Sequence, residues 1–182
     1  AMRPADAAGR HAVRLWTKKI DTMHPLCGVI TLAIGPRPLL LSQPADVREA
    51  NINAIPDSDQ RERRRSVIEH GVQAPEFRGA VLAHLTFLDS MEAVLEESEW
   101  LSGDLFGLAD AAALPYVLRL DHLSMTPLLS ARSRVSDWFA RVQARPAYQT
   151  AVADWLAEPI VTMFRGNGEA VWSDVEKIAK DA

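Results

Sequence analysis

Seven apolar residues, Val13, Trp16, Ile20, Met23, Cys27, Ile30 and Ile34, follow one another at alternating steps of three and four. That spacing holds them on one stripe of a helix with about 3.6 residues per turn, and a strand could not keep them on one face. It predicts a helix of roughly 28 residues, capped by Asp6 and ended by Gly35-Pro36. Pro25 falls inside it. A proline removes one backbone hydrogen bond and crowds the preceding turn, but the stripe stays in phase on both sides. A kink is expected, not two helices.

The same period recurs down the chain. From Pro75 to about Ser98, Phe77, Val81, Leu85, Leu88 and Leu95 form a stripe that Ala80, Phe87, Met91 and Val94 widen. A helix apolar over so much of its surface packs on more than one side. "VSDWFARVQ" puts Val135, Trp138, Phe139 and Val142 on one face, and Pro146 opens another segment. Between Pro36 and Pro56 the chain reads as a connection with a short helix around "ADVREANINA". "DSDQRERRRSVIEHG" then reads as a short, mostly exposed helix ended by Gly71. Beyond Pro159 the pattern predicts a tail carrying Trp172 and a final charged helix, with a turn at "GNG", residues 166 to 168. No strand alternation and no internal repeat occurs. The expected fold class is all-α, a helical bundle in a single domain over residues 1–182, with a linker or insertion at about 36–74 and a tail at about 159–182.

Composition narrows the function classes. The 182 residues are 48% hydrophobic and 24% charged, which excludes disorder as the main state. Twenty Lys and Arg stand against twenty-four Asp and Glu, a net charge of −4, and this argues against nucleic acid as a partner. The run Arg61, Arg63, Arg64 and Arg65 could hold a phosphate. Acidic neighbours and the lack of interleaved aromatics favour a solvated face. The single cysteine excludes an internal disulfide and suits a reducing, cytoplasmic compartment. No membrane span or signal peptide is legible. Ala1-Met2 reads as a residual tag residue before a start methionine, so the natural chain is expected to begin at Met2. The histidines His11, His70, His84 and His122 are scattered without metal-ligand spacing, so no metal is expected. Ser90, Ser124 and Ser136 lie in no nucleophile-elbow context. The residues themselves specify no catalytic centre.

The most informative stretch is "WLSGDLFGLADAAALPYVLRL", residues 100 to 120. Gly107 stands where a helix N-cap would be and Asp110 is the third helical residue, placed to accept from free backbone N–H groups. Its negative charge lies at the positive end of the helix dipole. Phe106 and Ala111 would form a thin hydrophobic staple across the same start.

Together with "VSDWFARVQARPAY", this stretch resembles the C-terminal helical domain of the cytosolic glutathione transferases. Gly103-Asp104, Phe106, Ala109-Asp110, Trp138 and Arg145-Pro146 occupy the places of that family's motif. The start "MRPADAAGRHAVRLWTKKID" looks like the point where such proteins leave their thioredoxin-like domain. With the segment "IPDSDQRERRRSVIEHG", it is most similar to the bacterial β-aryl-etherase-like branch. The resemblance implies that Asp110 is a folding residue. The family prefers Ser or Thr at the cap, so Gly107 leaves one half of the reciprocal box missing.

By the same resemblance, the glutathione-activating residue belongs to a thioredoxin-like domain absent from this sequence. The helical domain would then supply the wall of an electrophile pocket and half of a homodimer interface. Glutathione would be the co-substrate of the parent enzyme, with little binding to this chain alone. "DTMHPLCG" resembles the bacterial beta-class stretch in which a helix histidine reaches toward glutathione and its co-substrate. His24 occupies that position, and Thr22 replaces an expected Glu. Two readings stand for His24: a group facing a cleft opened by the Pro25 kink, or a residue that caps or packs. Met23, Cys27 and Trp16 read as pocket wall or as core, and Tyr116 is equally open. Cys27, on an apolar stripe without a basic neighbour, reads as an inert thiol. The alternative function is a stand-alone, non-catalytic interaction module of the same fold.

Overall fold

The computed structural model describes residues 2–182. Ten α-helices follow one another there: α1 (Ala7–Ile34), α2 (Arg37–Leu41), α3 (Ala45–Asn53), α4 (Ser58–His70), α5 (Pro75–Glu97), α6 (Leu108–His122), α7 (Thr126–Ser130), α8 (Ser133–Gln143), α9 (Pro146–Ala151) and α10 (Glu158–Lys180). Single 3₁₀ turns cover Gly71–Gln73 and Ala153–Trp155. No strand forms among the described residues; Trp100 and Gly103 make one isolated bridge. The all-α class read from the periodicity is the observed one.

Helix α1 runs unbroken through Pro25, and the Asp6 carboxylate accepts from the Gly9 N–H at 2.7 Å as its cap. Val13, Trp16, Ile20, Met23, Ile30 and Ile34 are buried along it, while Cys27 is half-buried. The stripe packs on α5 and α6. Helix α5 is the centre of the bundle: α1, α4, α8 and α10 all lie against it, which is why its apolar surface wraps so far round.

Helix α6 starts as its sequence suggested but is tied more widely. Asp110 is fully buried, and its carboxylate accepts from the N–H groups of Gly107 at 2.9 Å and Leu101 at 3.0 Å. A third donor is the Trp138 indole on α8, at 2.9 Å. The cap is one-sided, since Gly107 has no side chain to return a bond. Phe106 finds partners beyond the staple its spacing suggests. It packs edge-on to Trp100 at 5.3 Å, and the Arg145 guanidinium lies 4.1 Å from its ring. A larger aromatic and a cation offer more contact than a methyl group.

Helix α8 is capped from another element. Arg132, its N-cap, makes no side-chain cap bond. Glu92 of α5 instead accepts from the N–H groups of Val135 at 2.9 Å and Arg134 at 3.1 Å. Helix α4 ends on Gly71, whose φ of 59° lies in the left-handed region that suits glycine. Arg37 closes the same end, donating to the carbonyls of Ile68 at 2.8 Å and Glu69 at 2.9 Å.

Two expectations fail near the ends of segments. "PRPLLL" forms a short helix, α2. "GNG" is not a turn, since residues 158 to 180 form one 23-residue helix. The reason is packing. A Cβ on Gly168 would lie 1.8 Å from the Leu123 carbonyl oxygen, so the glycine is required for α10 to cross the end of α6 closely. Asn167 adds a bond from its amide to the Gly35 carbonyl at 2.8 Å.

His84 is buried on α5, with Nδ1 2.8 Å from the Ala80 carbonyl and Nε2 unpartnered. Burial, outweighing that carbonyl, holds its pKa below the ordinary value of 6.5. The unfolded chain therefore takes up this proton first. Stability from this residue is complete above about pH 6.5 and is lost as pH falls through that value toward the folded pKa. Urea midpoints of the unmodified protein should drop between pH 7.5 and 5.5, and His84→Leu should flatten the drop; an unchanged slope would refute the assignment. Asp110→Ala strands three buried donors at once and is expected to cost about 3 kcal/mol or more. A midpoint shift worth less than about 1 kcal/mol would show that the tie is not made.

Candidate functional site

The residues singled out in the sequence divide into two depths. Trp16 and Met23 are core, 6% and 4% exposed. His24 is exposed, and Cys27 and Tyr116 are half-buried. The Tyr116 hydroxyl and His24 Nδ1 are 3.4 Å apart, joining α6 to α1 at the surface. Behind them an edge-to-face series leads inward. His24 meets Tyr116 at 6.5 Å, Tyr116 meets Phe87 at 6.5 Å, and Phe87 meets Trp16 at 6.0 Å. Trp16 thus supports the pair from below. Phe87 was not foreseen in this role; its position on the widened α5 stripe was the available signal.

Each member of the pair sits next to a proline inside its helix, His24-Pro25 on α1 and Pro115-Tyr116 on α6. Neither proline can donate to the carbonyl four residues back, so the carbonyls of Asp21 and Ala111 lose their helical donor. Pro25 and Pro115 are both exposed, which leaves those acceptors to solvent or to a ligand at the seam. Thr22 turns away, its hydroxyl donating to the Lys19 carbonyl at 2.6 Å.

Burial pushes the Tyr116 phenol up, and the nearby Cys27 and Asp21 add to the effect. It is a neutral hydroxyl at pH 7, able to donate to His24 or to a bound acceptor. Burial also raises the Cys27 thiol, with the Thr31 hydroxyl and the Arg119 charge opposing it. A protonated, half-buried thiol is a poor nucleophile. Gly107 and Asp110 lie at the start of α6 as structural groups. Among the described residues no cluster of three His, Cys, Asp or Glu could hold a metal, and no helix is long and apolar enough to cross a membrane.

Residues 68–146 match the family model for the glutathione S-transferase C-terminal domain. The chain is 32% identical over 73 residues to glutathione S-transferase TCHQD of Arabidopsis thaliana, covering 40% of this chain and 27% of that protein. It is 39% identical over 61 residues to glutathione S-transferase PARB of Nicotiana tabacum, covering 34% and 29%. The fold is similar to that of beta-etherase LigF from Sphingobium sp. strain SYK-6, with a TM-score of 0.70 at 21% identity, over 82% of this chain and 64% of that one. Apo glutathione S-transferase III aligns with a TM-score of 0.58 at 25% identity, over 84% and 57%. The chain has the fold of a glutathione S-transferase C-terminal-like helical bundle, and the family match itself lies on residues 68–146. Its matches span less than a third of these curated relatives and less than two thirds of these solved chains.

At pH 7.5, iodoacetamide should label Cys27 at least about tenfold more slowly than free cysteine, as a raised thiol pKa requires. Labelling at the free-thiol rate would place an accessible thiolate at this position.

Proposed function

We propose that this domain forms the electrophile side of a glutathione transferase-like active site. The supporting observation is the His24–Tyr116 pair, which sets a neutral hydroxyl and an imidazole at one surface seam of a glutathione transferase C-terminal fold. In this reading a thioredoxin-like domain supplies glutathione and the group that activates its thiol. The thiolate then attacks an apolar electrophile, either adding to it or displacing a leaving group. Tyr116 donates to the oxygen or leaving atom on which charge develops, and His24 orients that hydroxyl. The aromatic series behind the pair gives the substrate a rigid apolar wall. The assembly is a cytoplasmic homodimer.

The alternative, a non-catalytic interaction module, draws support from Trp155 and Leu105, which are 81% and 75% exposed. Kinetics of the native protein with glutathione and 1-chloro-2,4-dinitrobenzene separate the two. Tyr116→Phe and His24→Ala are each expected to lower kcat/KM for the electrophile about tenfold or more, with KM for glutathione little changed. Unchanged kinetics in both variants would remove the pair from the pocket. Absence of turnover in the native protein, together with stoichiometric recovery of a protein partner, would favour the module.

A further inference from the structure

The basic run on α4 does not behave as one solvated face. Arg61 is structural, donating to the carbonyls of Ile55 at 2.6 Å and Pro56 at 3.0 Å. Arg65 is also engaged, with Glu62 at 2.6 Å and with Glu49. Among the described residues Arg63 and Arg64 form neither an ion pair nor a hydrogen bond, and both border a cleft of about 760 Å³ between α1, α4 and α5. Sites for small organic molecules commonly enclose about 300–1,000 Å³.

The opposite wall is apolar, with Leu26, Val29 and Leu32 of α1, and Val67 of α4 also lines the cleft. Gly28 and Gly79 border open space, since a Cβ on either would meet nothing within 4 Å. Glu76 is the one acid on its border, and it accepts from the Ser66 hydroxyl at 2.8 Å. An anion is repelled from that α5 edge and drawn to the two guanidinium groups on α4. This face of α1 is not the one that carries His24 and Cys27. Both arginines also precede residue 68, where the match to the family model begins.

We infer that this cleft binds a small amphiphilic carboxylate, its apolar body on the α1 wall and its head group on Arg63 and Arg64. Guanidinium forks match the two oxygens of a carboxylate, and an exposed arginine without an acidic partner loses no ion pair by binding one. Pro25 borders both places, but neither His24 nor Tyr116 lines the cleft, so the inference does not rest on that pair.

Calorimetric titration of the full chain with 4-phenylbutyrate, and with neutral 4-phenylbutyramide, tests it. The carboxylate should bind saturably and more tightly than the amide. Arg63→Ala/Arg64→Ala should weaken the carboxylate about tenfold or more and leave the amide unchanged. Gly79→Leu fills the cleft from an exposed helix position and should abolish binding of both, with circular dichroism unchanged. Arg134→Ala, on α8, serves as the remote control and should change nothing. No saturable heat up to about 10 mM would overturn the proposal. So would equal affinity for acid and amide, or binding that survives the paired arginine substitution. If Gly79→Leu failed to fold, the arginine pair would still decide.

Discussion

A buried carboxylate is costly unless its oxygens are satisfied, and Asp110 meets that condition with donors from three places in the chain. Gly107 brings the start of α6, Leu101 the loop that enters it, and Trp138 the helix α8. No pairwise hydrophobic contact fixes three elements at once with comparable directionality. Trp138 is fully buried, so its N–H has no water to turn to if the carboxylate is lost. The consequence runs along α6. With its first turn pinned, Tyr116 stands less than two turns further on, at a set height against α1, and Arg119 follows beside Cys27.

The other long-range ties have the same character: a polar or small residue on one helix completes the end of another. Glu92 supplies α8 with a cap its own sequence lacks. Arg37 closes α4, and Gly168 lets α10 lie against the Leu123 backbone. Helix ends carry unpaired backbone groups, so a bundle built from many short helices has many such debts to settle. Here they are settled between elements, which couples α8 to α5, α10 to the end of α6, and α4 to α2.

Periodicity made the long helices legible because a stripe of three-and-four spacing has a single solution. The bounds of α1 and α5, the Asp6 cap and the stop at Gly71 follow from local rules that the tertiary structure leaves intact. Local rules fail where a distant partner decides. "GNG" carries a turn signature, and only the approach of Leu123 turns it into a helix crossing. Spacing points Phe106 toward Ala111 but gives no sign of the Trp100 ring and the Arg145 guanidinium that it also meets. At the candidate site, the sequence named His24 and Tyr116 but could not join them. They are 92 residues apart, and the bond exists because α1 and α6 cross there. Trp16 and Met23, on the same stripe, proved to be its buried side.

The arginine run shows why composition and flanking charge give an incomplete reading of a surface. By sequence, Arg61, Arg63, Arg64 and Arg65 are equivalent cations diluted by acids. A helix rotates successive side chains by about 100°, so neighbours in the run face different surroundings. Arg61 reaches back to the chain that enters α4, and Arg65 reaches across to α3, where Glu49 and Asn53 await it. Of the acids that flank the run, Glu62 is held by Arg65 and Asp57 caps the helix, and neither reaches Arg63 or Arg64. That leaves two cations unmatched above an apolar wall in a chain whose net charge is negative, and the local field there opposes the global one. Net charge argues against a polyanion as partner. It does not exclude a small anion, because recognition at that scale depends on the two or three charges within a Debye length, about 8 Å at physiological salt.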